Sequence, residues 1–286
     1  MRGIKTLFLL TGLTLLLVLG GEAMGGRQGM TIALGFAVAM NAFAYFFSDK
    51  IALKSSHAQP VTREQVPRLY AVMERLCAKA NLPMPKLYVI PQPAPNAFAT
   101  GRNPKHASVV VTEGLLQLMT DDELEGVIAH ELSHVRNYDI LITSVAATLA
   151  GAITWIAHIG RFAMIFGGFG GRNNRGGGGL SALLMILVAP IAALVIQLGV
   201  SRQREFAADA SGARMVGHPY GLISALEKLG AYNQRIPTNV SPTTASLFIV
   251  APLAPGQMMR GLFSTHPPLA KRIEALKNMV ITPDGR

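Results

Sequence analysis

The sequence predicts a mainly helical α+β integral membrane protein that carries a small β-sheet on about four hydrophobic helices. Half of the 286 residues are hydrophobic and only 15% are charged, whereas soluble domains carry roughly 25% charged residues. Four stretches lack Asp, Glu, Lys and Arg over lengths near the ~20 residues that a membrane-crossing helix needs. These stretches are 6–21, 28–48, 140–160 and 176–201.

The apolar stretches divide the chain into four parts. We expect 1–48 to form a transmembrane hairpin of two spans, joined by a short glycine-rich connection. The first span is short enough to resemble a signal peptide, but no clear cleavage site follows it, so an uncleaved anchor is expected. The polar parts 49–139 and 202–286 flank a second hydrophobic helical hairpin, 140–201, whose loop 167–179 is rich in glycine.

The distribution of basic residues predicts the orientation in the membrane. Lys and Arg number ten in 49–139 and ten in 202–286, but two before the first span, one in the first loop and three in 161–175, and segments rich in Lys and Arg are typical of the cytoplasmic side. We therefore expect a multi-pass protein of the plasma (inner) membrane, with both polar parts in the cytoplasm. Arg161, Arg172 and Arg175 would then lie outside if 140–160 and 180–200 both cross, so whether these segments fully span stays open.

Charge and cysteine content exclude other classes. The net charge of +10 suits contact with the anionic lipid bilayer. No aromatic-plus-basic pattern indicates nucleic acid binding. Cys77 is the only cysteine, so no intrachain disulfide can form and a reducing compartment is expected. We interpret Cys77 as a small core residue.

Within 49–139 the elements follow from periodicity. Helical spacing over 62–80 places six apolar residues on one face, namely Val66, Leu69, Tyr70, Met73, Leu76 and Cys77. The runs 86–90 and 106–112 are typical of strands, and the proline-rich 91–101 is expected to be a loop. Thr120 and Glu123 form a capping box that begins the next helix, and this helix can run directly into the third apolar stretch.

That helix carries the sequence His130-Glu131-Leu132-Ser133-His134. Residues four apart share a helix face, so the imidazoles of His130 and His134 can bind one Zn²⁺. Glu131 lies beside the metal rather than on it and can act as a general base. A catalytic zinc needs a third protein ligand and an open position.

The third ligand must come from elsewhere in the chain. Glu205 and Asp209 lie four apart on a helix that follows the fourth apolar stretch. Glu205 can be a zinc ligand while Asp209 orients a zinc-binding histidine. Alternatively, both are on a solvated helix face and pair with Arg202 or Arg204. Spacing alone leaves these alternatives open.

Three motifs together resemble the HtpX branch of the membrane metallopeptidases, which is related to the CAAX prenyl protease type I family. The motifs lie at 130–134, 201–209 and 265–269, and the segment 95–101 also matches a family segment beside the substrate cleft. The resemblance covers nearly the whole chain and implies a zincin-like metalloprotease domain, with no departure at a motif position.

The resemblance also implies a role for several residues. Glu205 would be the third zinc ligand, and Asp209 would support a zinc-binding histidine. His266 would donate a hydrogen bond to the oxyanion of the tetrahedral intermediate, and Arg272 would brace the site. Asn96 would bind the substrate backbone, although a turn residue is the alternative. The implied substrates are misfolded or damaged membrane proteins, cleaved on the cytoplasmic side.

Two further expectations concern substrates and rival functions. We expect an extended substrate to pair with an edge strand at 106–112, which contains Val109 and Val110. One rival function is a CAAX-type prenyl protease, for which four spans are few. Another is a non-enzymatic zinc-binding sensor or scaffold, but a structural zinc normally has a fourth Cys or His ligand.

Overall fold

The computed structural model describes residues 4–149, 202–235, 249 and 267–281. Within these residues the chain is mainly helical with one small mixed sheet, which confirms that part of the predicted fold class. The elements, in chain order, are α1 Ile4–Ser55, β1 Gln59–Pro60, α2 Pro67–Ala80, β2 Lys86–Ile90, β3 Ala97–Gly101, β4 Ala107–Thr112, α3 Glu113–Leu118, α4 Asp121–Asn137, α5 Asp139–Leu149, α6 Arg202–Val216, α7 Tyr220–Arg235 and α8 Leu269–Lys277.

The long element α1 consists of two helical arms. Gly25 and Gly26 interrupt it with non-helical backbone, and Gly26 has a φ of 56°, a conformation that glycine adopts readily. The Asn41 amide of the second arm donates a hydrogen bond of 2.8 Å to the Thr14 hydroxyl of the first arm. The two arms therefore contact each other on either side of the glycine turn.

One described helix, Gly25–Ser55, is long and apolar enough to cross a membrane by length and composition. It exposes large apolar side chains along its length, including Ile32 and Phe36. The helices Leu10–Leu19 and Asp139–Leu149 are apolar but shorter. The remaining predicted hydrophobic segments, with the loop 167–179, lie outside the described residues.

The sheet has the strand order β1-β2-β4-β3. Strands β2 and β4 are parallel, while β3 pairs with β4 in antiparallel register, from Ala97 opposite Val111 to Gly101 opposite Ala107. The expectation that 106–112 is an edge strand is wrong, because β4 is hydrogen-bonded on both sides. The expected loop 91–101 is also wrong in its second half, which forms the edge strand β3.

Helix α4 lies at the centre of the two polar parts, 49–139 and 202–286, and contacts α2, β3, α6 and α7. Its side chains Leu124, Ile128 and Leu132 are fully buried, and each such side chain contributes roughly 1.5–3 kcal/mol. A Cβ at Gly126 would lie 2.5 Å from the Leu222 backbone nitrogen. Close backbone packing between α4 and α7 therefore requires glycine at this position.

The predicted capping box of α4 is confirmed at its start. The Thr120 side chain accepts a hydrogen bond from the Glu123 amide, and the Glu123 carboxylate accepts one from the Thr120 amide. The helix does not run on into the next apolar segment. Tyr138 adopts a left-handed φ of 62°, which ends α4 and starts α5 in a new direction at Asp139.

Candidate metal centre and active site

The last two turns of α4 bring the HExxH histidines together. His130 is fully buried, and His134 is mostly buried with 16% of its side chain exposed. Their rings meet edge to face, and the two Nε2 atoms are 3.2 Å apart. Both ring nitrogens therefore point to a common position beside the helix.

Helix α6 supplies a carboxylate to the same position. Glu205 Oε1 lies 3.5 Å from His134 Nε2, and Glu205 Oε2 lies 3.7 Å from His130 Nε2. This approach requires tight contact between α6 and α4, because a Cβ at Gly212 would lie 2.9 Å from the His130 amide nitrogen. The alternative of a solvated face is wrong for Glu205 and Asp209, since both are buried.

The donor set fits a metal ion. Ligand atoms of His130, His134 and Glu205 all lie within 4.8 Å of one another. Two ligands at tetrahedral positions around zinc, each at about 2.0–2.1 Å, are separated by about 3.3–3.4 Å. The observed separations of 3.2, 3.5 and 3.7 Å match this spacing, so these three residues could hold a zinc ion.

Asp209 and Arg272 fix the orientation of His130. The His130 Nδ1–H group donates to Asp209 Oδ1 at 2.8 Å, which leaves Nε2 free to bind metal. Arg272, from α8, binds both oxygens of Asp209 at 2.7 and 2.8 Å. Burial raises the pKa of Asp209, but the Arg272 charge and hydrogen bonds outweigh it and hold that pKa below its ordinary value.

A second, similar arrangement supports His134, and our sequence interpretation missed it. His134 Nδ1 lies 3.3 Å from Asp139 Oδ2, and Arg204 lies 3.8 Å from Asp139 Oδ1. Asp139 follows the left-handed Tyr138, so the break between α4 and α5 places its carboxylate beside the imidazole. An acidic residue five positions after His134 was the available signal for this contact. The contact forms only because α4 ends at Tyr138, and the sequence did not show that helix end.

Glu131 lies between this cluster and the edge strand. Its carboxyl group is buried and accepts a hydrogen bond from the β3 backbone at Ala99. Burial raises the pKa of Glu131 to about 7, with a contribution from the Glu205 charge, while His134 and Arg272 oppose the rise. A carboxyl group with a pKa near neutrality is suited to accept and return a proton.

The two histidines differ in their protonation without metal. Burial lowers the pKa of His130, so this imidazole is neutral and ready to bind metal. Burial opposes protonation of His134 too, but the Asp139 hydrogen bond and the Glu205 and Glu131 charges raise its pKa to about 9. Metal binding would therefore displace a proton from His134.

Three predicted substrate-binding residues have other surroundings. Val109 and Val110 are fully buried in the interior strand β4, so neither can present a free strand edge to a substrate. The Asn96 side chain accepts a hydrogen bond from the Ala97 amide at 3.0 Å, directly before β3, and its role in substrate binding stays a prediction. The strand beside Glu131 is β3, the outer strand of the described sheet, and its Ala97 carbonyl accepts a hydrogen bond from the Ile249 amide at 3.0 Å.

His266 and Cys77 are the remaining residues that the sequence singled out. His266 lies outside the described residues. Cys77 is buried in the core, and burial raises the pKa of its thiol to about 11. A thiol of this kind is a poor nucleophile and a poor metal ligand at neutral pH.

The fold and the site together define a metallopeptidase whose HExxH helix lies beside an edge strand and receives a glutamate from a second helix. Sequence comparison agrees. The chain belongs to Peptidase family M48, whose family profile matches residues 63–280. The predicted metalloprotease class is thereby confirmed, as is the resemblance to the HtpX branch.

Individual relatives cover nearly the whole chain. A Protease HtpX homolog from Desulfatibacillum aliphaticivorans is 54% identical over 274 residues, which is 96% of this chain and 88% of the relative. Another from Syntrophotalea carbinolica is 50% identical over 98% of this chain and its own full length.

A solved structure shares the fold. The crystal structure of Ste24p from S. mikatae superimposes with a TM-score of 0.53 at 20% sequence identity and covers 96% of this chain. The chain spans 64% of Ste24p.

Proposed function

We propose that this protein is a zinc endopeptidase of the plasma (inner) membrane that hydrolyses misfolded or damaged membrane proteins at the cytoplasmic face. The observation that carries the proposal is the convergence of His130, His134 and Glu205 at metal-ligand spacing, with Glu131 beside them. A role in protein quality control and stress response is consistent with the HtpX relatives. The two polar parts contain ten Lys and Arg residues each, against one in 22–27 and three in 161–175, and this distribution supports the cytoplasmic orientation.

Zinc bound by these residues would polarise the scissile carbonyl and lower the pKa of a water molecule towards about 7. Glu131 would accept a proton from the attacking water and return it to the leaving amine. Asp209 and Asp139 would keep the Nδ1 protons of His130 and His134 in place, so that both Nε2 atoms remain available for the metal. We further propose that His266, three residues before α8, donates to the oxyanion, as the family resemblance implies.

We propose β3 as the substrate-binding strand in place of β4. An extended peptide can add to a sheet edge through backbone hydrogen bonds, and β3 is the outer strand of the described sheet, on the side that contacts α4. At its first residue, the Ala97 carbonyl accepts a hydrogen bond from the Ile249 amide, so we propose pairing along the rest of the strand. Ala99 lies in the middle of β3 and its backbone contacts Glu131. A peptide paired there would run past the metal ligands. Because such pairing uses backbone atoms, it supports broad specificity.

Cleavage of casein by the detergent-solubilised full chain tests the catalytic proposal. We expect the wild type to cleave casein, a chelator to stop cleavage and added zinc to restore it. The Glu131→Gln variant should be inactive although it binds zinc. Glu125→Gln is the matched control, since Glu125 is on the same helix and pairs with Arg75 at the surface.

Three outcomes would contradict the proposal. Full activity of Glu131→Gln would exclude Glu131 as the base. Cleavage of an isoprenylated peptide, without cleavage of casein or unfolded membrane proteins, would favour a CAAX-type prenyl protease. If zinc binds at one equivalent and no substrate of either kind is cleaved, the non-enzymatic sensor or scaffold is favoured.

The orientation has its own test. Alkaline phosphatase fused after Arg286 should be inactive, while green fluorescent protein at the same position should fluoresce. The opposite pattern would place the C-terminal part, and with it Glu205, outside the cytoplasm.

A further inference from the structure

The charge-free stretch of α1 ends in a group of exposed aromatic side chains. Phe43 and Phe46 are each 53% exposed, and Tyr45 and Phe47 are 37% and 42% exposed. Asp49 and Lys50 are the first charged residues after them. Tyrosine is enriched where a membrane helix meets the headgroup layer, so Tyr45, followed by the first charged residues, marks the level of the bilayer surface.

The turn between β3 and β4, residues 102–106, lies at the same level. The Arg102 guanidinium is 5.8 Å from the centre of the Phe46 ring, and the Lys50 ammonium is 5.2 Å from the Phe47 ring. Phe46 and Lys50 are one helical turn apart, or about 6 Å along the axis. The headgroup layer is itself about 5–7 Å thick on each side, so both cations reach it.

The charged residues at the end of α1 and in the turn 102–106 are mostly basic and exposed. Lys50, Lys54 and Lys105 are exposed, and Arg102 is partly exposed. None of these four basic residues forms an ion pair with an acidic residue in the part of the chain that the structure describes. The nearby Asp49 carboxylate accepts a hydrogen bond from the Lys50 amide. Basic side chains at this depth attract anionic headgroups.

We propose that Arg102, Lys105 and Lys50 form a binding site for the phosphate headgroup of an anionic phospholipid, with the acyl chains along the aromatic face of α1. The occupant is a lipid rather than a free anion because the cations border exposed aromatic and aliphatic side chains. The proposal does not depend on the catalytic function proposed above.

The same geometry connects this lipid site to the catalytic strand. Gly101 ends β3 at a φ of 135°, and a Cβ there would lie 2.2 Å from the His106 carbonyl oxygen. The turn is therefore tightly closed. In addition, the Thr100 hydroxyl is hydrogen-bonded to Ser144 of α5 at 2.7 Å. A headgroup on Arg102 would thus be bound three residues from Ala99, which contacts Glu131.

Native mass spectrometry of the full chain in mixed micelles tests this site. Phosphatidylglycerol and phosphatidylcholine with identical acyl chains would be offered at equal concentration, and the retained lipid counted. We expect a preference for phosphatidylglycerol, reduced at least about fivefold in Arg102→Gln/Lys105→Gln, since each basic residue at an anionic surface contributes roughly that factor. Arg102→Lys/Lys105→Arg should retain the preference.

The control removes two exposed charges elsewhere. Lys79→Gln/Lys271→Gln alters α2 and α8, neither of which belongs to the proposed site, and should keep the wild-type preference. An unchanged preference in Arg102→Gln/Lys105→Gln would overturn the proposal, as would an equal loss in the control. Displacement of the lipid by excess inorganic phosphate would also overturn it, because the site would then bind free anions. Circular dichroism of each variant establishes that it is folded.

Discussion

Helix α4 contains two buried glutamates, eight residues apart, whose protonation differs sharply. Glu123 and Glu131 are only 4% and 3% exposed. Burial raises the pKa of both, but hydrogen bonds from Lys228, Ser224 and Thr120 bring that of Glu123 down to about 2. The pKa of Glu131 instead stays at about 7.

The partners of each carboxylate explain the difference. Glu123 accepts hydrogen bonds from Lys228 Nζ at 2.8 Å and from the Ser224 hydroxyl at 2.5 Å, so its charge is compensated and it joins α4 to α7. Glu131 has the charges of His134 and Arg272 nearby, which lower its pKa, but also the like charge of Glu205, and Arg272 is bound mainly to Asp209. A fully compensated carboxylate stabilises the fold, whereas one that is compensated only in part can exchange protons.

The largest expected effect separates these two glutamates by activity. Glu131→Gln should lower kcat/KM for casein about 10²–10⁴-fold, because it removes the proposed general base. Glu123→Gln should leave kcat/KM within about twofold, since Glu123 contacts no residue of the metal cluster. Measurement of both variants at saturating zinc checks this, and comparable losses in the two would contradict the comparison.

Stability should show the opposite order. Glu123→Gln should lower the free energy of unfolding by about 1–3 kcal/mol at neutral pH. The effect is not larger because Lys228 is partly exposed and water screens its ion pair with Glu123. Because the folded pKa of about 2 lies below the ordinary 4.5, this stabilisation is complete above about pH 4.5 and is lost as the pH falls towards 2. In urea denaturation between pH 7 and pH 3, the difference in stability between wild type and variant should therefore be constant down to about pH 4.5 and then shrink as the pH falls further.

The carboxylates behind the two histidines should differ in their effect on metal affinity. Asp209→Asn should weaken zinc binding about 10–100-fold, because Asp209 is buried and binds His130 at 2.8 Å. Asp139→Asn should cost less, since its distance to His134 is 3.3 Å. Competition with a zinc-binding dye measures both constants, and a greater loss in Asp139→Asn would reverse our ranking.

The smallest expected effect lies at the start of α4. Thr120→Ala removes the side-chain cap and should lower the free energy of unfolding by about 1 kcal/mol. Zinc affinity should not change, since the metal cluster is more than two turns away. Thermal unfolding of the detergent-solubilised variant measures the change in stability, and dye competition measures the zinc affinity. A loss of zinc affinity would contradict this prediction and show that the two ends of α4 are coupled.

Local patterns in the sequence predicted much of α4 and its ligands. The capping box, the shared face of His130 and His134, and strand 86–90 needed only short-range rules, and each is present in the structure. The family resemblance, rather than spacing, selected Glu205. What failed depended on distant contacts. The segment 97–101 mixes Phe98 and Thr100 with alanines and a glycine, which have little strand propensity, and it is a strand in the structure through its pairing with β4.

The role of Asp139 was hidden for a similar reason. Its carboxylate reaches His134 because Tyr138 adopts a left-handed conformation, which tyrosine seldom does and which no local pattern indicates. Likewise, β4 resembled an edge strand until the β2 and β3 partners on its two sides were known. Sheet order and helix breaks are set by tertiary packing, so they could not be read from short windows of sequence.

X-ray absorption at the zinc edge tests the central claim most directly. For the full chain with one zinc ion, we predict nitrogen and oxygen ligands at about 2.0–2.1 Å, with outer scattering from two imidazole rings. The spectrum should change in Glu205→Ala. A sulfur ligand, three or more imidazoles, or a spectrum unaltered in Glu205→Ala would contradict the assignment of His130, His134 and Glu205 as the metal ligands.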